Sequence, residues 1–197
     1  MKKLTHEEIK KIKPSVSAVK KKKRSPIYAI LDNIRSLYNV GAIFRTSDAV
    51  MLNKLFLCGI TGCPPRKEIS KTALGAEEIV PFEYCENALD AIRKLKKKGV
   101  KIVAVELAKK AMAYNKIKLD FPVCFVLGHE VFGINDEVMK EVDECIFVPM
   151  LGRANSLNVA TCYGIIVFEA MRQLEMRSGP VLRLRLRRAG RHIKIGI

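Results

Sequence analysis

Val123-Cys124-Phe125-Val126-Leu127, followed at once by Gly128-His129-Glu130-Val131-Phe132-Gly133, decides the fold class. Five consecutive apolar residues, three of them β-branched or aromatic, read as a strand with no polar face. A strand without alternation is buried on both sides, which is the habit of parallel sheets covered by helices. Working outward, Ile27-Tyr28-Ala29-Ile30-Leu31 has the same texture, and residues 55–58, 100–105 and 144–148 read as further strands. Helical spacing alternates with them. Residues 39 to about 51 bring Val40, Ile43, Phe44 and Ser47 onto one face, with Asn39 as the expected N-cap. Residues 87–98 form a second helix, with Lys96-Lys97-Lys98 favoured at its C-terminal dipole and Gly99 closing it. Residues 135–141 form a short third helix. Residues 156–174 form the longest, with Ser156 as the expected cap and Leu157, Ala160, Gly164, Val167, Phe168, Met171 and Leu174 on one face. Residues 61–66 hold Gly62, Pro64 and Pro65 and read as a loop, while residues 70–80 show no clear period. Strands alternating with helices give an α/β class. In such folds the ligand lies beyond the carboxyl ends of the strands. Residues 32–39, 106–111, 128–133 and 149–156 are therefore expected to form the site.

The chain has 197 residues, 49% of them hydrophobic and 28% charged, with a formal net charge of +16. This suits one domain with tails and excludes a disordered polyampholyte. No apolar run approaches the ~18 residues of a spanning helix, so no membrane partner is expected. The Lys-rich beginning leads into no apolar segment of the kind a secretory signal needs. Residues 1–25 carry ten Lys/Arg against two Glu, and residues 178–197 carry six and no acid, which leaves a body of about +2. The division expected is a basic extension over 1–25, a body over 26–177 and an Arg-rich tail over 178–197 that is disordered or foreign to the fold. Concentrated positive charge points to a polyanion, with nucleic acid foremost. The six cysteines form no CxxC pair and only three histidines accompany them, so no metal is expected. They read as reduced thiols of a cytoplasmic protein.

Three segments fall at the expected site. The first is Asn39-Val40-Gly41-Ala42-Ile43-Phe44-Arg45-Thr46. The second is Gly128-His129-Glu130-Val131-Phe132-Gly133. The third is Pro149-Met150-Leu151-Gly152-Arg153-Ala154-Asn155-Ser156-Leu157-Asn158-Val159. Each alone has an ordinary structural reading: Arg45 facing solvent beside Asp48, Glu130 at a helix start, Ser156 as a cap. In this order and spacing they resemble the three motifs of the SpoU (TrmH-like) RNA ribose 2′-O-methyltransferases, of the SPOUT superfamily. The resemblance covers residues 27 to about 174. Residues 57–65 and 71–77 also look like stretches common in this family.

The resemblance implies a Rossmann-like parallel sheet whose C-terminal part is tied in a trefoil knot, formed by the second and third motif loops. It implies a homodimer that transfers the methyl group of S-adenosylmethionine to a ribose 2′-hydroxyl in tRNA or ribosomal RNA. Arg45 carries over as the catalytic arginine. Guanidinium stays protonated up to a pKa of ~12 or more, so binding the substrate phosphate is favoured over acting as a base. Asn39 carries over as a hydrogen-bonding partner of Arg45 or the ribose. Glu130 carries over as an anchor of the second-motif loop and of Arg45, and Ser156 and Asn158 as polar groups of the active site. The cofactor slot implied consists of Leu127, Gly128, Val148, Met150, Gly152, Ser156 and Leu157, with Glu106 bordering the adenine. Gly128 and Gly152 are expected to let backbone approach closely. Family members usually place a Gly soon after the first-motif helix; this chain has Val50-Met51-Leu52-Asn53, and Asn53 is expected to take that left-handed turn. His129 is given no role. The alternatives are a non-catalytic RNA-binding protein of the same fold and a general polyanion binder driven by the basic ends.

Overall fold

The computed structural model describes residues 3–177. They divide into two compact units, residues 24–171 and residues 3–23 with 172–177. The Arg-rich tail expected over 178–197 lies outside the described residues.

The larger unit holds seven strands in one sheet: β1 (Ile27–Asp32), β2 (Lys54–Cys58), β3 (Phe82–Cys85), β4 (Lys101–Val105), β5 (Met112–Ala113), β6 (Val123–Leu127) and β7 (Glu144–Phe147). Every pairing is parallel, in the order β3-β2-β1-β6-β4-β7-β5. The chain builds outward from β1 on one side and then crosses to the other, so the order reverses between β1 and β6. Loops leaving two such strands diverge and open a crevice.

Alternating side chains sort into two cores, as the period of a strand requires. Ala29, Leu31, Leu55, Leu57, Phe125 and Leu127 pack on one face under α3 (Leu37–Ala49), α4 (Lys67–Ala73) and the inner face of α7 (Val159–Arg177). Ile30, Phe56, Cys58, Ala104, Cys124 and Val126 pack on the other under α5 (Ala88–Lys96) and α6 (Asp136–Glu141). Strands apolar throughout thus have a helical layer on each side.

Several boundaries differ from expectation. Helix α3 starts at Leu37, and its cap is Ser36, whose hydroxyl accepts from the Asn39 N–H; Asn39 lies in the first turn. The left-handed position after α3 is Met51, at φ 51°, and not Asn53. Helix α7 starts at Val159, and Asn158 caps it by accepting from the N–H groups of Ala160 and Thr161, which leaves Ser156 in the preceding loop. Residues 70–80 resolve into the end of α4, a left-handed Leu74 and one 3₁₀ turn (Ala76–Glu78). Too short for a period to show, β3 and β5 left no readable pattern.

In the smaller unit, α1 (His6–Ile12) is closed by a capping box: the Thr5 hydroxyl accepts from the Glu8 N–H, and the Glu8 carboxylate accepts from the Thr5 N–H. After Pro14, α2 (Val16–Lys20) is capped by Ser15.

Helices α3 and α7 meet at a buried pair of hydroxyls. Ser47 and Tyr163 are both fully buried and share a hydrogen bond of 2.7 Å. Burial pushes the Tyr163 phenol well up, and the bond to Ser47 only partly offsets this. Tyr163→Phe leaves the Ser47 hydroxyl unpaired in the core and is expected to destabilise the protein by about 1–3 kcal/mol. Urea denaturation checks this, and adding Ser47→Ala to Tyr163→Phe is expected to cost little more than Tyr163→Phe alone.

Candidate active site

The three motif loops converge at the carboxyl ends of β1, β6 and β7. What joins them is a chain of side-chain hydrogen bonds. Glu130, in the loop after β6, accepts from the backbone N–H groups of Arg35 (3.0 Å) and Ser36 (3.1 Å), and from the Asn39 Nδ2 (3.2 Å). The Asn39 Oδ1 in turn accepts from the Asn158 Nδ2 at 3.0 Å. The Asn158 Oδ1 then caps α7. Asn39, Glu130 and Asn158, taken from three separate motifs, are thus brought into one network.

Each loop is shaped locally before it is joined. After β1, the Thr61 hydroxyl accepts from the Ile34 N–H and donates to the Leu31 carbonyl, which fixes the path of the chain into α3. After β6, His129 and Gly133 exchange backbone hydrogen bonds. The His129 Nδ1 accepts from the N–H groups of Val131 (3.0 Å) and Phe132 (3.3 Å). His129, expected to have no role, therefore folds the loop that presents Glu130. A Cβ on Gly128 would land on the backbone of Gly133 and Ile134, so the glycine lets the two ends of that loop close. Open space surrounds Gly152.

Between these loops lies a cavity of about 560 Å³, in the size range of small-molecule sites. Of the slot residues expected, Glu106, Leu127, Gly128, Val148, Ser156 and Leu157 line it, together with Glu130 and Asn158. Met150 and Gly152 stand outside its lining, in the exposed loop after β7. The Glu106 carboxylate is held at the rim, accepting from the N–H groups of Leu107 (2.9 Å) and Ile134 (3.1 Å). Cys162 and Phe147 also line the cavity. Cys162 was legible in principle, because it follows Asn158 by four residues and shares its helix face. Burial pushes its thiol up to about 11, and Glu106 adds to this, so it stays protonated near neutral pH.

Arg45 is exposed on α3 and does not line the cavity. Its helix is held close to α4. A Cβ on Gly41 would strike the Ile69 carbonyl and the Thr72 hydroxyl, and that hydroxyl donates to the Tyr38 carbonyl at 2.9 Å. The glycine of the first motif thus lets α4 seat the turn that leads to Arg45. No group of three or more His, Cys, Asp or Glu able to hold a metal occurs among the described residues.

Partial burial works to raise the pKa of Glu130, but the backbone N–H groups of Arg35, Ser36 and Glu130 itself, with the Asn39 amide, outweigh it and hold the carboxyl below its usual value. A group whose pKa is depressed by folding contributes stability above its unfolded value of ~4.3, and loses it as the pH falls through the folded value. The Arg35 and Ser36 amide resonances are accordingly expected to titrate with a midpoint below ~4.3. Glu130→Gln is expected to abolish that titration, as read by amide chemical shifts.

Comparison with known proteins agrees with this geometry. The model of the SpoU rRNA Methylase family matches residues 26–168. The chain is 32% identical over 157 residues to a tRNA (guanosine(18)-2′-O)-methyltransferase of Aquifex aeolicus, spanning 80% of this chain and 74% of that protein. It is 32% identical over 149 residues to a 23S rRNA (guanosine-2′-O-)-methyltransferase of Vibrio parahaemolyticus, spanning 76% and 60%. Among solved structures, a TrmH/SpoU tRNA modifying enzyme of A. aeolicus superposes with a TM-score of 0.75 at 30% identity, covering 87% of this chain and 86% of that one. An AdoMet-bound rRNA methyltransferase of Sinorhizobium meliloti superposes with a TM-score of 0.72 at 33% identity, covering 79% and 60%. With three motif loops tied together over a cavity at the sheet's switch point, this chain belongs to the SpoU rRNA Methylase family.

Proposed function

We propose that the protein is an S-adenosylmethionine-dependent methyltransferase that modifies a ribose 2′-hydroxyl in tRNA or ribosomal RNA. The observation that carries this is the hydrogen-bonded chain Glu130–Asn39–Asn158 at the mouth of the cavity, within the family that the sequence matches. The cavity suits the cofactor. Val105, Leu127, Val148 and Leu157 supply apolar walls, and Glu106, Ser156 and Asn158 supply polar atoms at the rim. When bound there, the sulfonium cofactor supplies an electrophilic methyl group.

The rest of the chemistry falls to residues of this chain. A free 2′-hydroxyl is a weak nucleophile, so its proton must leave as the new bond forms. Arg45 binds a phosphate beside the target ribose through its fork of N–H donors, and that phosphate assists removal of the proton. Both ends of the Asn39 amide are already engaged, so its part is to hold the motifs in register. Ser156, exposed beside the cavity, is free to meet the ribose. Alignment of this kind supplies several kcal/mol of barrier reduction, up to ~7–11 in favourable systems.

The knot and the homodimer belong to the same proposal. The chain passes from the loop after β6 through β7 and a second exposed loop before α7 returns to β1's side of the sheet. This path suits a threaded C-terminus. Leu151, fully exposed, and Phe168, 55% exposed on α7, offer apolar surface for a second copy. No helix among the described residues is long and apolar enough to cross a membrane. All six cysteines are free thiols, which suits a cytoplasmic setting.

The test is methyl transfer from labelled S-adenosylmethionine to small RNA and to ribosomal RNA. Label confined to one linkage and resistant to alkali is expected, and Arg45→Ala is expected to lower the rate at least about 100-fold while leaving cofactor affinity intact. Absence of label together with absence of cofactor binding would sink the enzyme and favour a non-catalytic RNA-binding protein. Asn158→Ala is expected to weaken cofactor binding and to destabilise α7 by about 1 kcal/mol, through loss of its cap. Calorimetry reads the first and urea denaturation the second.

A further inference from the structure

Tyr38 lies in the first turn of α3, next to Asn39, and is 50% exposed. Apart from Phe168 on α7, the other exposed aromatic rings have an occupation. Phe132 packs on His129 at 4.8 Å, Phe82 meets Phe44 edge-on, and the Tyr84 hydroxyl donates to the Gly59 carbonyl. Among the described residues, no hydrogen bond or ring contact engages the Tyr38 side chain. Its backbone is nonetheless fixed, because the Tyr38 carbonyl accepts from the Thr72 hydroxyl of α4. A half-exposed flat ring on a fixed helix start, next in sequence to Asn39 of the network, is suited to stacking.

Its neighbours fit the same ligand. Arg45 follows Tyr38 by seven residues, about 20° short of two full turns, so the two share one stripe of α3 some ~10 Å apart. Arg35 precedes Tyr38 by three residues, with its backbone N–H tied to Glu130 and its side chain exposed. Arg35 lies in the loop before the Ser36 cap, so the stripe itself offers Tyr38 and Arg45, with Arg35 as a further exposed cation at the approach to the helix. Single-stranded RNA presents phosphates on either side of each base, and its bases splay onto aromatic faces.

We propose that Tyr38 is a stacking platform for a nucleobase of the RNA, adjoining the ribose to be methylated, with Arg35 and Arg45 contacting the phosphates on either side. This rests on the reading above that the substrate is RNA. Stacking tolerates any base, so Tyr38 supplies affinity and holds the strand, while the identity of the base is read elsewhere.

The test uses the full chain and compares total tRNA and fragmented ribosomal RNA with inorganic polyphosphate, which has the charge and no bases. Tyr38→Ala is expected to weaken binding of RNA about 5- to 100-fold and to leave polyphosphate binding unchanged. Tyr38→Phe and Tyr38→Trp are expected to stay within about twofold of wild type, and Tyr38→Leu to behave like the alanine variant. In methyl transfer, Tyr38→Ala is expected to raise KM for RNA far more than it lowers kcat. Equal binding of RNA by wild type and Tyr38→Ala overturns the proposal, as does full rescue by leucine, which would mark an apolar contact. A change in the protein's mass in solution or in its cofactor affinity on Tyr38→Ala also overturns it. So does a wild-type protein that binds polyphosphate as well as either RNA. Wild-type protein that transfers no methyl but binds RNA through Tyr38 leaves stacking standing and sinks only the enzymatic reading.

Discussion

The carboxylate of Glu130 is the constraint on which the site depends. Three irregular loops, each free to adopt many conformations, have to be fixed relative to one another, and ordering backbone costs roughly 1–2 kcal/mol per residue. A carboxylate with two acceptor oxygens can meet several donors at once. Here it takes two successive backbone N–H groups from the loop after β1 and an amide from α3. The Asn39 amide, both donor and acceptor, passes the connection to Asn158 and so to the start of α7. A Gln at position 39 would be one methylene too long, and an Asp would lose the donor that meets Glu130. The chemistry of the motif is thus explained first by what it joins.

Helix α3 bears the consequences of that junction along its whole length. Its first turn is tied to Glu130, its middle is pressed against α4 at Gly41, and its far end is bolted to α7 through Ser47 and Tyr163. A glycine inside a helix ordinarily destabilises it by roughly 0.5–1 kcal/mol. At Gly41 that loss is the condition for a close crossing, because any side chain would strike the Ile69 carbonyl. Arg45, one turn further on, is exposed and yet carried by a helix held at three points. A long, flexible cation on a rigid support can reach a ligand while losing little freedom elsewhere.

The strands of the central sheet were legible because burial on both faces leaves an unbroken apolar run, as in 27–31 and 123–127. The stripe of α3 was legible too, since Val40, Ile43, Phe44 and Ser47 are all buried, but the face of α7 was not: Tyr163, Ile166, Val167 and Ala170 are buried there, whereas Phe168, expected on that face, is exposed. What escaped reading was decided by partners distant in sequence. Ser36 displaces Asn39 as the cap of α3 because Asn39 is engaged with Glu130, some ninety residues away. Asn158 displaces Ser156 as the cap of α7 because the same network holds it at the helix start. Met51 adopts the left-handed turn in place of Asn53 because Ser25 donates to the carbonyls of Val50 and Met51, which fixes that corner against the chain entering β1. His129 gave no signal at all, since a ring nitrogen accepting two loop amides leaves no pattern in composition or spacing. The three motifs, by contrast, are visible as a set, and they contain Asn39, Glu130 and Asn158, whose mutual contact only the fold supplies.

Charge and geometry divide the labour of recognition. Residues 26–177 are almost neutral, and most of the excess positive charge lies at the two ends of the sequence. At physiological ionic strength the Debye length is about 8 Å, so such charge acts at long range only weakly and serves to raise the local concentration of a polyanion. Orientation requires groups held at fixed positions, such as Arg35 before α3 and Arg45 on it, with Tyr38 and Asn39 between the two arginines. A nearly neutral body also limits unproductive binding over the rest of its surface. On the proposed reading, charge at the ends of the sequence attracts the RNA while the residues tied into the network around Glu130 align it, so the two can be tuned separately.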